Sequence, residues 1–301
     1  MLAPFGEHQS MIQRVLHDRS ENTQCIIYMV IAMAGFAVED AVIKALSADL
    51  PVSQILVLIG LCGMGAFFAL AQQQGAPLFT RALATTRFAA RGFCELASAI
   101  AFVSSIVYAS LSVSSAILQA APLVVSLGGV LFLKQMVSLR QWLLIGAGFV
   151  GVILIIQPGT DAFQPAALLS VVAVVFLAAR DLVTRSMSVS VGPVTVSFWA
   201  FFALFLAGVV TVPIFGAFQP ITTQHVLLLV LSTLAGTVAY LAVVMATRGG
   251  DVAAVAPFRY SRLVFALALS VLLFDEPVNT GMLVGSALVI LSGLGTLRRV
   301  R

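Results

Sequence analysis

Ten stretches of this chain are each apolar over the roughly 20 residues that a helix needs to cross the hydrocarbon of a bilayer. They run near 25–46, 52–71, 88–109, 112–133 and 139–157, then near 165–184, 194–216, 223–247, 252–274 and 278–297. Lipid offers no water to satisfy peptide N–H and C=O groups, so runs of this kind must be α-helices. The breaks between them, among them "QQQGAP", "QPGTDAFQP", "TRGGD" and "FDEP", are rich in the Gly, Pro and polar residues that end helices. The weakest break is "SLSVS", where apolar residues continue through it. Composition agrees, because 9% of residues are charged and mean hydropathy is +1.09, against about 25% charged in a soluble domain. The sequence predicts an all-α integral membrane protein of ten transmembrane helices and excludes a soluble globular domain.

Charge distribution orients the spans. Of the sixteen Lys and Arg, Lys44, Arg259 and Arg262 are counted inside a span, while Arg91, Arg140 and Arg180, within about a turn of a span's cytoplasmic end, are counted with the inner side. With both termini in the cytoplasm, the remainder lie on inner loops and tails, Arg87, Arg91, Lys134, Arg140, Arg180 and Arg248 among them. The outer loops hold none. That is the positive-inside pattern, and it would not survive adding or removing a span. Residues 1–24 read as a cytoplasmic tail without the apolar core of a signal peptide; residues 298–301 read as a second tail. Cys25, Cys62 and Cys94 offer no disulfide framework and read as small buried side chains.

A faint internal repeat organises the spans. "APLVVSLGGVLFLKQMVSLRQWLLIGAGFVGV" begins at Ala121, and "RLVFALALSVLLFDEPVNTGMLVGSALVILSG" begins at Arg262. Each is an apolar run, a polar break and a Gly-spaced apolar run, and Lys134-Gln135 falls where Asp275-Glu276 falls. The halves are expected at 25–157 and 165–297, joined by a periplasmic linker over 158–164. Five helices per half is an odd number, so the halves must be inverted in the membrane. Inverted 5+5 repeats favour a secondary transporter over a receptor or enzyme.

Ionisable groups inside the bilayer cost about 2.5–3.5 kcal/mol each on insertion scales and need a partner or a wet cavity. Arg259 and Arg262 are three residues apart, on one helical face. Two readings stay open for them: snorkelling to the inner interface, about 10 Å away at 1.5 Å per residue, or a hydrated cavity where planar forks hold a solute's anionic group. Glu95, about one turn inside the third span, is placed to neutralise one of them, unless it is an interfacial Glu favoured by the helix dipole. Asp40 and Lys44 have the spacing and order of a helical ion pair. Glu39 is left without a local partner and is a possible proton site; a structural role for all three is the rival.

Polar stripes on the third, fourth, eighth and ninth spans sketch a cavity between the halves. Phe102 extends the Glu95 face, Gln119 and Pro122 lie on the fourth span, Thr233, Thr237 and Tyr240 on the eighth, and Pro257 precedes Arg259. Small polar residues also glue helices together. Each Pro removes a backbone donor, which is tolerable in a membrane only where the freed carbonyl is otherwise satisfied. No nucleotide loop, metal cluster or nucleophile motif is evident, so neither cofactor nor metal is expected, and an enzyme or ATP-driven pump is disfavoured. The net charge of +4 gives no reason to expect nucleic acid.

The stretches "AAPLVVSLGGVLFLKQMVSLRQWLLIGAGFVGVILIIQPG" (120–159), "AVAPFRYSRLVFALALSVLLFDEP" (254–277), "DAVIKAL" (40–46) and "ARDLVTRSM" (179–187) resemble the drug/metabolite transporter superfamily. The likeness is to the bacterial EamA-type ten-helix carriers, over essentially the whole chain. It implies a central cavity lined by helices one, three, four, six, eight and nine. The Pro-Phe-Arg-Tyr core of the ninth span is similar to a branch that includes uptake carriers for S-adenosylmethionine and riboflavin. Two departures stand out: Lys134-Gln135 replaces a common Gly-Glu, and the second span lacks an Arg that many relatives carry.

The expected function is secondary transport of a small anionic or zwitterionic solute across a bacterial inner membrane, by a monomer or homodimer. Arg259 and Arg262 are expected at its anionic group, with Tyr260, Gln119, Phe102 and Tyr240 lining. Glu95 or Glu39, with Asp40 and Lys44 near by, would balance charge or couple protons. An exporter in the same fold, a membrane-embedded lipid enzyme and a sensor are the alternatives.

Overall fold

The computed structural model describes residues 5–80, 83–133, 138–185, 187, 191–249 and 255–297, and every regular element among them is helical. The helices are α1 (Phe5–Leu46), α2 (Val52–Gln74), α3 (Thr86–Tyr108), α4 (Leu111–Leu118), α5 (Ala121–Leu133), α6 (Leu139–Ile156), α7 (Leu168–Arg185), α8 (Pro193–Phe215), α9 (Thr223–Gly249), α10 (Ser261–Phe274) and α11 (Thr280–Leu297). A 3₁₀ segment, Ala256–Tyr260, leads into α10, and another, Pro165–Ala167, leads into α7. Among the described residues nine spans are long and apolar enough to cross a bilayer, and Thr280–Gly295 is a shorter apolar helix. These are the ten segments read from the sequence. One boundary differs: the stretch expected as a polar tail continues the first helix back to Phe5. Lys134 and Gln135 lie outside the described residues.

Local chemistry sets the helix ends. Thr85 accepts a hydrogen bond from Phe88 N at the start of α3, and Ser138 with Gln141 forms a reciprocal capping box at the start of α6. Ser110 caps α4 through Val113 N, which turns the weak "SLSVS" boundary into a real break. Two spans are broken internally. The fourth divides at Gln119-Ala120, ahead of Pro122, whose ring removes a donor and crowds the preceding turn. The ninth divides between the Pro257-containing 3₁₀ turn and α10. In the register that sets Ala121 on Arg262, Gln119 corresponds to Tyr260, so the two breaks are equivalent.

Helix packing follows the same register. The second and seventh spans pair (α2 with α8), as do the fifth and tenth (α6 with α11) and the fourth and ninth (α4 with α10). The first span packs on the eighth (α1 with α9), and its counterpart, the sixth, packs on the third (α7 with α3). This is the contact pattern of two five-helix halves related by a pseudo-two-fold axis. With five crossings in each half, the halves are inverted.

Close backbone approach at glycines holds the pairs. A methyl group on Gly151 would lie 2.7 Å from the Gly285 carbonyl, and one on Gly208 would lie 2.7 Å from the Ser53 carbonyl. Lipid tails are as apolar as leucine, so small residues and dense packing replace the hydrophobic drive between helices. The outer surface is apolar: Leu272 is 77% and Leu143 67% exposed, as lipid contact requires.

Candidate functional site

Between α1 and α10, Arg262 and Asp40 form a fork-to-carboxylate ion pair. Arg262 Nε donates to Asp40 Oδ2 at 3.1 Å, and Nη2 donates to Oδ1 at 2.9 Å and Oδ2 at 2.7 Å. Asp40 is 3% exposed. The guanidinium lies over the rings of Phe36 and Phe102, with Cζ 5.3 and 5.6 Å from their centroids. One sequence expectation is corrected here: Asp40 does not pair with Lys44, because a carboxylate on a neighbouring helix meets a planar fork better than a flexible ammonium does. The Arg262 fork, expected at a solute's anionic group, is turned to Asp40.

Lys44 instead points to the end of α3. Its Nζ donates to the carbonyls of Ile106, Val107 and Ala109 at 2.8, 3.4 and 2.7 Å. Carbonyls in the last turn of a helix lack intrahelical partners, and a cation satisfies them. Glu276, which follows α10, treats the start of α4 in the complementary way. It accepts from Leu111 N at 2.7 Å, Ser112 N at 2.9 Å and Ser112 Oγ at 2.7 Å. Lys44 and Glu276 also interact electrostatically. One end of the bundle is thus closed by two charges that clasp the α3–α4 break from opposite halves.

A second buried cluster lies between α3 and α7. Arg180 Nη1 donates to Glu95 Oε1 at 3.0 Å, its Nη2 to Asp181 Oδ1 at 2.7 Å, and Arg91 Nη2 pairs with Glu95 Oε2 at 3.4 Å. The sequence set Glu95 against Arg259 or Arg262 and counted Arg91 and Arg180 with the inner loops. The structure instead sets both arginines within their helices, Arg91 buried at 6% exposure and Arg180 half-buried, and gives Glu95 to them. The signal was in the repeat: "EDAVIK" at 39–44 and "RDLVTR" at 180–185 share their Asp and their terminal cation, which puts Arg180 in the place of Glu39.

The remaining candidates divide. Gln119, at the break of the fourth span, donates through Nε2 to the Arg259 carbonyl at 3.4 Å, joining the two breaks. The Arg259 side chain is exposed. Tyr240 packs edge-on against Phe36 and Phe67, with centroids 5.7 and 5.8 Å away, and feels both Glu95 with Arg180 and Glu39. It bridges the two charged clusters. Tyr260 is buried, with its hydroxyl end against Gly293 of α11, apart from the others. Glu39 lies against Gly236 of α9, where an added methyl group would sit 2.9 Å from Oε1. Its electrostatic neighbours are Asp40 and Arg262.

Six spans contribute to this region: α1, α3, the α4–α5 break, α7, α9 and the turn leading into α10. Buried ionised groups between inverted halves, beside two interrupted helices, define a membrane carrier rather than a structural bundle. The sequence pattern of the EamA-like transporter family matches residues 23–157 and again 164–298, so this multi-pass membrane protein belongs to that family. The two matches set residue 23 on 164 and 157 on 298, the same register that places Ala121 on Arg262.

Characterised relatives are similar over part of the chain. An S-adenosylmethionine uptake transporter of Rickettsia felis is 25% identical over 171 residues, 56% of this chain and 57% of its own length. A riboflavin transporter of Rhizobium johnstonii is 29% identical over 189 residues, 61% of this chain and 60% of its own. A riboflavin transporter of Vibrio cholerae is 28% identical over 183 residues, 59% of each. The chain therefore spans about three fifths of the length of the curated relatives it matches. One crystal structure superposes with a TM-score of 0.62, covering 94% of this chain and 100% of the other at 14% identity, a likeness of fold alone.

Proposed function

We propose that the protein is a secondary carrier that takes up a small organic solute by alternating access, with the solute seated between the halves. The two matched stretches act as the moving repeats, 25–157 and 165–297, joined through 158–164. Both termini face the cytoplasm of a bacterial inner membrane in this reading, on the strength of the basic inner loops. The observation that carries it is the cluster of ionised and aromatic side chains at the equivalent helix breaks, where Arg262, Asp40, Phe36, Phe102, Tyr240 and Gln119 converge. Arg259 reaches for an anionic group of the solute, while Arg262 with Asp40 supplies a fixed dipole. Glu95 balances Arg91 and Arg180 next to Tyr240. Lys44 and Glu276 close the periplasmic side, and their release opens it. The solutes for which the relatives are named support nucleoside- or flavin-type metabolites as the solute class.

The test is uptake into proteoliposomes of labelled S-adenosylmethionine, riboflavin and a set of amino acids. Accumulation or counterflow of at least one, lost on alanine replacement of Gln119 and Phe102, is the expected result. A flat profile across the panel would overturn the reading.

A further inference from the structure

The two halves treat one equivalent position in opposite ways. In the repeat register, Arg180 of α7 corresponds to Glu39 of α1, and Glu95 of α3 corresponds to Gly236 of α9. In the α3–α7 pair the two ionised groups meet, with Arg180 Nη1 3.0 Å from Glu95 Oε1. In the α1–α9 pair the same contact is made by a carboxylate against a glycine. Glu39 therefore stands where an ion pair stands in the other half, and its partner position is empty of side chain.

The neighbouring charges do not fill that gap. Among the described residues Glu39 makes no hydrogen bond and no ion pair. Arg262 is the cation it feels, and Asp40, the other carboxylate beside it, takes the Arg262 fork with both oxygens. Two carboxyl groups thus stand beside one guanidinium, and the fork is given to Asp40, leaving Glu39 without a cation of its own. Lys44 is turned to the carbonyls that end α3. Asp181 and Glu95 are matched by Arg180 and Arg91 on the opposite pair of helices. Phe36 and Tyr240 supply aromatic surface next to Glu39, on α1 and α9. A lone carboxylate beside aromatic rings suits a soft organic cation.

We infer that Glu39 is the subsite for a cationic centre of the solute, a sulfonium or an ammonium, which supplies the charge that Arg180 supplies in the other half. This rests on the carrier reading and sharpens it. A solute with a fixed positive centre fits, and an uncharged flavin does not use the subsite. S-adenosylmethionine, which carries a sulfonium and an ammonium, and riboflavin, which is neutral, are therefore the two discriminating probes.

The experiment measures binding of both probes to the purified full-length protein in lipid nanodiscs. The chains are the parent, Glu39→Gln, Glu39→Asp and Gly236→Lys, each first shown to be monodisperse on gel filtration. The expected result is that the parent binds S-adenosylmethionine, Glu39→Gln weakens it at least tenfold, and Glu39→Asp keeps most of it. Gly236→Lys, which places a tethered ammonium opposite Glu39, should abolish it. Equal binding of S-adenosylmethionine by the parent and Glu39→Gln overturns the subsite and leaves the carrier reading standing. So does a parent that binds riboflavin and not S-adenosylmethionine. A parent that binds neither probe overturns the subsite, and the transport panel then decides separately whether the carrier reading falls with it.

Discussion

The Asp40–Arg262 pair offers the sharpest quantitative test of how this bundle tolerates charge. Asp40 is 3% exposed and receives three donor contacts of 2.7–3.1 Å from a single guanidinium. Removing one member of a buried pair leaves the other uncompensated and costs about 3–5 kcal/mol, while replacing both by apolar groups of similar volume is often neutral or better. Arg262→Met and Asp40→Leu should therefore each lower stability by about 3–5 kcal/mol, more than two orders of magnitude in the folded-to-unfolded ratio. The double variant should recover most of that loss, so the coupling in a double-mutant cycle approaches the sum of the two single effects. The assay is thermal and denaturant unfolding in mild detergent, run beside the yield of monodisperse protein. Solute uptake separates structure from function, because the double variant should fold and yet fail to transport. Additive losses, with the double variant worse than either single one, would refute the reasoning that the pair is a self-contained buried unit.

Three further outcomes follow from the same geometry. Glu95→Gln leaves Arg91 without its carboxylate and Arg180 with Asp181 alone and should destabilise the protein by about 3 kcal/mol, against no effect for Glu95→Asp; unfolding midpoints in detergent decide this. Gly285→Leu drives a side chain into the Gly151 carbonyl and Ile155 of α6 and should cost about 1–3 kcal/mol or prevent assembly. Gly146→Leu, where an added Cβ meets nothing within 4 Å, is the matched control and should be silent. Glu276→Gln loses charge-assisted bonds to Leu111 and Ser112 worth about 1.5–3 kcal/mol together, so the end of the bundle it closes should open about ten- to a hundredfold more often. An Ala109→Cys reporter, with Cys25, Cys62 and Cys94 replaced, should then react correspondingly faster with a membrane-impermeant thiol reagent. Unchanged labelling would remove Glu276 from the closure.

Much of the fold was legible because a bilayer leaves a chain few choices. Apolar length, the breaks at "QPGTDAFQP" and "TRGGD", and the one-sided placement of Lys and Arg carried the span count and the repeat. Pro122 and Pro257 marked both interrupted helices, since a missing donor in lipid has to be accounted for elsewhere. What the sequence did not reveal was which helix faces which. Asp40 has Lys44 at ideal helical spacing and yet pairs with Arg262, more than 200 residues away. Helical spacing bounds which pairs can form within one helix, and interhelical packing decides which do. Arg91 and Arg180 escaped notice for a related reason. Near a span end a basic residue counts equally well as a loop charge, and only the approach of α3 to α7 shows that Glu95 draws both inward.

The pseudo-two-fold axis explains where specificity has to reside. A carrier of this type needs two halves alike enough that either end of the cavity can close by equivalent motions. Helix pairing, equivalent breaks and glycine contacts meet that need, and they are the features the two halves share. A solute is not symmetric, so the groups that recognise it have to break the axis. Among the positions that break it are three between the halves: Arg262 against Ala121, Glu95 against Gly236 and Arg180 against Glu39. If both halves carried the Arg180–Glu95 pair, the α1–α9 and α3–α7 contacts would be alike, and the interior would lose this asymmetry. The scaffold is read from what repeats, and the site from what does not.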